Sequence, residues 1–142
     1  GKNAGVILEM AGILVEGDPG VAFFETPNDH PLVYTEPLMP IIPVIKCENF
    51  EEAMNRAVAA EGGRHHSASI WSNHIDHVTA FGKAIDTTIY VQNGWTSAAF
   101  GLGGTGINTA TIATPTGDGL TNPQTFTRKR YFVMAHGGNY II

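Results

Sequence analysis

Residues 41–91 read IIPVIKCENFEEAMNRAVAAEGGRHHSASIWSNHIDHVTAFGKAIDTTIYV, and this stretch decides the fold. Short apolar runs rich in β-branched residues predict β-strands at residues 41–46, 67–71 and 87–91. The two longer segments between them carry helical spacing. Strands and helices that alternate at this spacing predict parallel strands joined by right-handed crossovers. The predicted fold class is therefore α/β, with a parallel βαβαβ core.

Both helices of this core have recognisable ends. Asn49 and Glu52 form a capping pair for the first helix, and Gly62 ends it. Its inward face is predicted to carry Phe50, Ala53, Met54, Ala57 and Val58. Ser72 or Asn73 is expected to cap the second helix, whose inward residues are Ile75, Val78, Phe81 and Ile85.

The signals outside this core are shorter. Asn3 is expected to cap a short helix that Gly12 stops, and residues 21–25 predict a further strand. Pro43 marks the first strand of the core as an edge strand or a locally irregular one. The last regular element predicted is a strand at residues 125–135, and it carries three basic residues near its start.

The composition excludes several classes of protein. The chain has 142 residues, 43% of them hydrophobic, which is enough for one globular domain with a core. A net charge of −5 and a pI near 5.6 argue against nucleic acid as a partner. No apolar run is long enough to span a bilayer, and a single cysteine fits the reducing cytoplasm. Because the chain opens on Gly1 and leads at once into a helical pattern, we expect it to be part of a longer protein.

A glycine cluster at residues 101–106 spells G-x-G-x-x-G, the dinucleotide fingerprint, through Gly101, Gly103 and Gly106. That fingerprint needs a strand before it, a helix that begins at the last glycine, and an acidic residue about 20 residues further on. Here β-branched residues follow Gly106 and too little chain remains for a nucleotide fold. We interpret the match as accidental.

Cys47 is the one thiol, so no other cysteine of the chain could act as a nucleophile. It precedes a helix, but Glu48, Glu51 and Glu52 surround it with negative charge that opposes thiolate formation. A structural cysteine is the favoured interpretation.

Two further polar clusters have ordinary explanations. The histidines could suggest a metal site, but no carboxylate or cysteine completes a ligand spacing, so no metal is predicted; the residues concerned are His65, His66, His74 and His77. The basic residues 128–130 alternate faces in a strand, which favours a charged edge or an interface over a phosphate site.

Several segments follow one another in the order of a known family. The most specific is the turn TPTGDG at residues 114–119, within a threonine-rich run. The others are Glu25-Thr26, HPLV (30–33), EPLMP (36–40), HHSASI (65–70), Asn93-Gly94 with the cluster at 101–106, and TFTRKR (125–130). Together they resemble the CoA-acylating aldehyde dehydrogenases, which are the propionaldehyde and acetaldehyde dehydrogenases of propanediol and ethanolamine utilisation.

The resemblance implies an enzyme that oxidises a short-chain aldehyde to an acyl-CoA, with NAD as hydride acceptor and coenzyme A as co-substrate. The reaction would pass through a thiohemiacetal of a catalytic cysteine. In the wider superfamily the acid of a Glu-x-x-x-Pro segment holds the nicotinamide ribose, and Glu36, followed by Pro40, matches that position. Gly103, Gly104 and Thr114 would line the aldehyde end of the pocket. The resemblance also implies a cytoplasmic homo-oligomer, and many relatives work inside bacterial microcompartments.

By the same resemblance the chain is a single domain, with a catalytic-domain portion at about residues 1–122 and a terminal interface strand at about residues 123–142. The family's catalytic cysteine and oxyanion-hole asparagine belong to upstream sequence that is absent here, so no catalytic residue is predicted in this chain and it should be inactive alone. Trp71 and His74 stand where relatives often carry histidine and asparagine. Two other hypotheses remain: a non-catalytic assembly or binding module with the same fold, and a small metallohydrolase built on the histidines.

Overall fold

A computed structural model of the protein describes residues 1–109 and 120–138. Its elements in chain order are α1 (Ala4–Met10), β1 (Ala22–Glu25), α2 (Pro31–Tyr34), β2 (Ile41–Val44), α3 (Phe50–Glu61), β3 (Ser67–Ile70), α4 (Ile75–Ile85) and β4 (Ile89–Gln92). Two 3-10 helices follow, at Thr96–Phe100 and Pro123–Phe126. Short parallel strands alternate with helices, so the predicted α/β class is confirmed.

The four strands form two parallel pairs rather than one sheet. β1 pairs with β2, with Ala22 opposite Ile41, and β3 pairs with β4, with Ser67 opposite Ile89. No ladder joins β2 to β3 within the described residues, so the predicted βαβαβ core consists of a parallel β3–α4–β4 unit beside a separate pair. Helix α3 thus connects two strands that are not hydrogen-bonded to each other. Connections of this kind are ordinary, because consecutive strands are neighbours in only about two-thirds of cases.

Both ends of α3 agree with the sequence, whereas the start of α4 does not. Asn49 Oδ1 accepts from the Glu52 N–H at 2.9 Å, and Gly62 ends α3 with a left-handed φ of 66°. The N-cap of α4 is His74, so Ser72 and Asn73 were the wrong choices. The Ser72 hydroxyl instead accepts from the His74 N–H one step before the helix. A serine two residues early makes a turn that leads into the helix rather than a cap.

The core within the described residues is small for such an apolar composition. Its buried hydrophobic side chains are Ala4, Phe81, Ile85 and Ile89. Phe81 and Ile85 were predicted to face inward, but Ile75 on the same helix is 68% exposed. On α3, Ala53 is exposed although the helical spacing placed it inward. Two parallel strand pairs have too few neighbours to cover both helices, which leaves much of their apolar faces open.

The predicted strand at residues 125–135 is not present in the described chain. Thr125 belongs to the 3-10 helix, where it forms a reciprocal capping pair with Asn122, and residues 127–138 carry no strand pairing. This segment is exposed throughout, with Tyr131 at 85% and Val133 at 83%. A strand needs a partner for its hydrogen bonds, and no described segment of the chain provides one. Among the described helices none has the length and apolarity needed to cross a membrane.

Gly82 allows α4 to lie close against β4. A Cβ at this position would be 2.8 Å from Cε1 of the Tyr90 ring. The Tyr90 hydroxyl donates to the Val78 carbonyl oxygen at 2.8 Å, and its ring meets Phe81 edge-on. Burial raises the pKa of the Tyr90 phenol above its usual value. The ring is therefore held at both ends and cannot move aside at little cost.

We expect Gly82→Ala to destabilise the protein by about 1–3 kcal/mol, because the new methyl group overlaps the Tyr90 ring. The sign is informative, since the same change in an open helix usually stabilises by about 1 kcal/mol. Denaturant unfolding of the purified protein measures the difference. Gly20→Ala, where a Cβ would meet nothing within 4 Å, is the matched control and should stay within about 0.5 kcal/mol. Stabilisation by Gly82→Ala would contradict the packing described.

Candidate functional site

Glu36 lines a cavity of about 310 Å³ between two connecting loops. One wall is the end of α2 with the loop that leads into β2, and the other is the end of α3 with the loop that leads into β3. The first wall includes Val33, Tyr34 and Glu36, and the second includes Glu61, Arg64 and His66. The cavity lies at the lower end of the usual range for small-molecule pockets, roughly 300–1,000 Å³.

The Glu36 carboxylate is exposed and, within residues 1–109 and 120–138, takes part in no hydrogen bond or ion pair. The loop that carries it is stiff, since Pro37 and Pro40 flank the turn. Leu38, between the prolines, has a φ of 46°, a left-handed conformation that is unfavourable for a leucine. Strained backbone of this kind clusters at functional sites. The loop therefore holds a carboxylate with free acceptor capacity at the cavity wall.

The facing wall carries two side chains that sequence reasoning did not assign to this site, Arg64 and His66. The Arg64 guanidinium donates to the Glu61 carbonyl oxygen at 3.0 Å, so it caps the last turn of α3. His66 Nδ1 lies 2.9 Å from Ser67 Oγ, at the first residue of β3. Only the fold could reveal that Glu36 and Arg64 line the same cavity, because 28 positions separate them in the sequence. The one local signal was the Gly62-Gly63 helix end just before them.

The four histidines considered for a metal do not form one cluster. His65 Nδ1 lies 2.7 Å from the Asp86 carbonyl oxygen, which ties the start of β3 to the turn before β4. His74 and His77 stack on each other at 3.9 Å, and His77 also stacks on Phe50 at 3.9 Å. Among the described residues no three potential ligands come together to hold a metal ion. His65 and the stacked pair pack against other elements.

An amide cluster occupies the carboxyl ends of β3 and β4. Asn93 Oδ1 accepts from the Ser72 N–H at 2.8 Å, and Asn93 Nδ2 donates to Asn73 Oδ1 at 2.9 Å. Asn93 itself is left-handed, with a φ of 52°. Beside it, Trp71 and Trp95 meet edge-on at 5.9 Å. Carboxyl ends of parallel strands are the usual location of ligand sites in α/β folds.

The glycine cluster closes against its own 3-10 helix. Gly103 and Gly104 line a cavity of about 330 Å³ together with the end of β4. A Cβ on Gly104 would be 2.7 Å from Ala98 Cβ, and one on Gly106 would overlap the Ala99 carbonyl oxygen. Glycine is thus required because backbone meets backbone here. A 3-10 helix rather than a strand lies immediately before the cluster, and no helix opens in the described residues 107–109, which contradicts a dinucleotide fingerprint.

Three other predictions from the sequence concern Thr114, Cys47 and the basic residues 128–130. Thr114 and the turn at residues 114–119 lie outside the described residues. Cys47 is free and half-buried between β2 and α3, and it lines neither of the two cavities above. Residues 128–130 are exposed and lie in no strand. The interface role of this basic segment stays a prediction.

Residues 18–118 match the model of the aldehyde dehydrogenase family, and the chain belongs to that family. Among curated proteins it is 46% identical over 134 residues to the acetaldehyde dehydrogenase (acetylating) EutE of Salmonella typhimurium, which covers 94% of this chain and 29% of that protein. It is 39% identical over 138 residues to the propanal dehydrogenase (CoA-propanoylating) of the same organism, covering 96% of this chain and 30% of that one. The chain therefore spans about 30% of the length of these relatives.

Solved structures agree with this assignment. A propionaldehyde dehydrogenase from the fucose utilisation microcompartment of Clostridium phytofermentans superposes with a TM-score of 0.87 at 44% identity, over 94% of this chain and 31% of that one. The propionaldehyde dehydrogenase of Rhodopseudomonas palustris, solved with bound CoA and an acylated cysteine, gives 0.86 at 40% identity, over 94% and 30%. The relatives with which this chain shares its sequence and fold are thus CoA-acylating aldehyde dehydrogenases.

Proposed function

We propose that this chain is the C-terminal part of a CoA-acylating aldehyde dehydrogenase, which converts a short-chain aldehyde to an acyl-CoA with NAD. The observation that carries the proposal is the Glu36 carboxylate, which lines a cavity of about 310 Å³ and has no partner among the described residues. The acylating activity of the relatives supports it.

Glu36 suits a cofactor ribose for a simple chemical reason. An ionised carboxylate only accepts hydrogen bonds, and its two oxygens can serve two neighbouring hydroxyl groups at once. NAD, when bound, supplies the hydride acceptor for oxidation of the aldehyde carbon. The role of Glu36 is to fix the ribose and thereby the orientation of the nicotinamide, a contribution of positioning rather than of chemistry.

The aldehyde end of the pocket is proposed at the glycine cluster, with Gly103, Gly104 and Thr114 as lining residues. The cavity beside Gly103 and Gly104 supports this, as does its position at the carboxyl end of β4. No catalytic residue is assigned to this chain. The nucleophilic cysteine would come from the remainder of the enzyme, because Cys47 lines neither cavity.

Residues 1–122 are proposed as the catalytic-domain portion and residues 123–142 as a segment that pairs with another subunit of a homo-oligomer. The exposure of Tyr131 and Val133 supports a partner for that segment. The proposed location is the cytoplasm, with a bacterial microcompartment as the narrower alternative, since one solved relative comes from such a compartment.

Acyl-CoA formation tests the proposal. The full-length protein that carries this chain should form acyl-CoA and NADH from propionaldehyde, NAD and CoA, whereas the 142-residue chain should form none. In the full-length protein, Cys47→Ser should leave kcat within about twofold of wild type, because a thiol outside both cavities touches no reacting atom. Stopped assays that quantify the thioester, run beside NADH absorbance, measure both products.

Two results would contradict this assignment. A full-length protein that binds neither NAD nor CoA would favour the non-catalytic module. Activity of the isolated chain that disappears in Cys47→Ser would instead make Cys47 the nucleophile.

A further inference from the structure

The carboxylate of Glu61, the last residue of α3, accepts hydrogen bonds from three backbone N–H groups of the loop that follows it. Its Oε2 accepts from Gly63 N at 2.9 Å and from Arg64 N at 3.0 Å, and its Oε1 accepts from His66 N at 3.2 Å. Hydrogen bonds to an ionised acceptor are about twice as strong as neutral ones. One side chain thus restrains almost the whole connection between α3 and β3.

This connection needs restraint because its backbone is unusual. Gly62, Gly63 and His65 are all left-handed, with φ of 66°, 75° and 53°. Glycine adopts this conformation freely, but histidine does so at a cost. Successive N–H groups in such turns point inward and form a concave anion site. In this protein the anion in that concavity is the carboxylate of Glu61.

Local helix energetics do not explain the choice of glutamate. A negative side chain at the C-terminal end of a helix is disfavoured by the helix dipole. In this helix the unfavourable interaction between the Glu61 carboxylate and the helix dipole is reduced by Arg64, whose guanidinium donates to the carbonyl oxygens of Ala60 and Glu61. A residue that breaks a local rule and is then held by three hydrogen bonds indicates a role beyond the helix itself.

We propose that Glu61 is a positioning residue of the cofactor site: it fixes the loop so that Arg64 and His66 form the wall that faces Glu36. The proposal deepens the proposed function and rests on it. Glu61, Arg64 and His66 line the same cavity as Glu36. Among the described residues, the N–H groups of Gly63 and His66 have no acceptor besides Glu61. Loss of the carboxylate would therefore release the loop that carries Arg64 and His66, while the helices stay in place.

The test compares Glu61→Gln with Glu51→Gln in the full-length protein. Glutamine keeps the size of the side chain but offers an NH₂ group where an acceptor is needed, so at least one of the three N–H groups loses its partner. Both the KM and the Kd for NAD should rise about tenfold, with kcat within about threefold, as expected when an ordered wall is lost. Glu51→Gln removes the same charge from an exposed position on the same helix and should change neither constant.

Two measurements separate positioning from simple loss of stability. Hydrogen exchange followed by mass spectrometry should show faster exchange in residues 61–67 of Glu61→Gln and unchanged exchange in β4. The double variant Glu36→Gln/Glu61→Gln should raise the Kd for NAD by less than the product of the single effects, because both changes act on one cavity. If Glu61→Gln does not fold, Glu61→Asp keeps the charge, reaches fewer of the N–H groups, and should give an intermediate Kd.

An unchanged Kd for NAD in Glu61→Gln, or a lower kcat with unchanged KM, would overturn the proposal while acyl-CoA formation by the wild type persists. A wild-type protein that neither binds NAD nor forms acyl-CoA would overturn the proposed function, and this inference with it. The two failures are thus distinguished by the wild-type assay alone.

Discussion

Glu36→Gln in the full-length protein is expected to raise the KM for NAD by about 10- to 100-fold, since a hydrogen bond to a charged group is worth roughly 1.5–3 kcal/mol. Glutamine has the same shape as glutamate but is neutral and has one acceptor oxygen in place of two, so the charge-assisted hydrogen bonds to the two ribose hydroxyls are lost or weakened. In the described chain the carboxylate has no partner of its own. Its replacement therefore leaves no protein group newly unpaired, and stability should be unaffected.

The matched control for this prediction is Glu9→Gln, which removes the same charge from an exposed position on α1. Initial rates at varied NAD concentrations give KM, and calorimetric titration of NAD gives the Kd without turnover. An effect of Glu36→Gln no larger than that of Glu9→Gln would remove Glu36 from the site. A large fall in Tm would show that Glu36 supports the loop rather than the cofactor.

Local signals in the sequence predicted the elements well. The start and end of α3 follow from Asn49 and Gly62, and each is a single-residue effect that the structure reproduces. The strands β3 and β4 follow from short β-branched runs, with ends shifted by one or two residues. Such features depend on neighbours within one turn of helix or one strand, so a sequence contains them directly.

Long-range relations were predicted less well. The order of the strands within sheets depends on which surfaces pack, and the sequence does not indicate that β2 pairs with β1 and not with β3. The one-turn helix α2 was missed because its N-cap is His30, whose Nδ1 accepts from the Leu32 N–H, an unusual capping residue. The strand predicted at residues 125–135 has a suitable sequence but no described partner in its own chain.

The candidate site shows the same division between local signals, which the sequence contains, and long-range contacts, which it does not. The family resemblance selected Glu36, since a carboxylate between prolines has no distinguishing local physics. The wall formed by Arg64 and His66 could not be predicted in this way. It depends on the path of the chain through α3, which brings the loop after α3 beside the loop after α2. The glycines at residues 101–106 permit a close approach of backbone. What approaches is the 3-10 helix at Thr96–Phe100, so the density of glycine alone could not identify the contact.

That contact gives the largest stability effect expected here. Gly106→Ala should destabilise the protein by about 3 kcal/mol or more, the upper end for overpacking, because its Cβ would overlap the Ala99 carbonyl oxygen and approach that of Ala98. Backbone atoms cannot rotate away as a side chain can, so the loop must shift. If Gly103 and Gly104 line the aldehyde pocket, a shift of about 1 Å should lower kcat/KM for propionaldehyde by about 100-fold.

Gly103→Ala is the graded comparison for this prediction, since its Cβ would meet nothing within 4 Å but its φ is 80°. It should cost only about 1 kcal/mol, the strain of a left-handed alanine, and should alter kcat/KM far less. Chemical denaturation and aldehyde-dependent rates on both variants separate overlap from strain. Equal effects would mean that backbone conformation, not the approach to Ala99, explains the glycines. Loss of stability in Gly106→Ala with unchanged kcat/KM would place the aldehyde away from this loop, because a pocket whose wall has moved cannot hold its substrate unchanged.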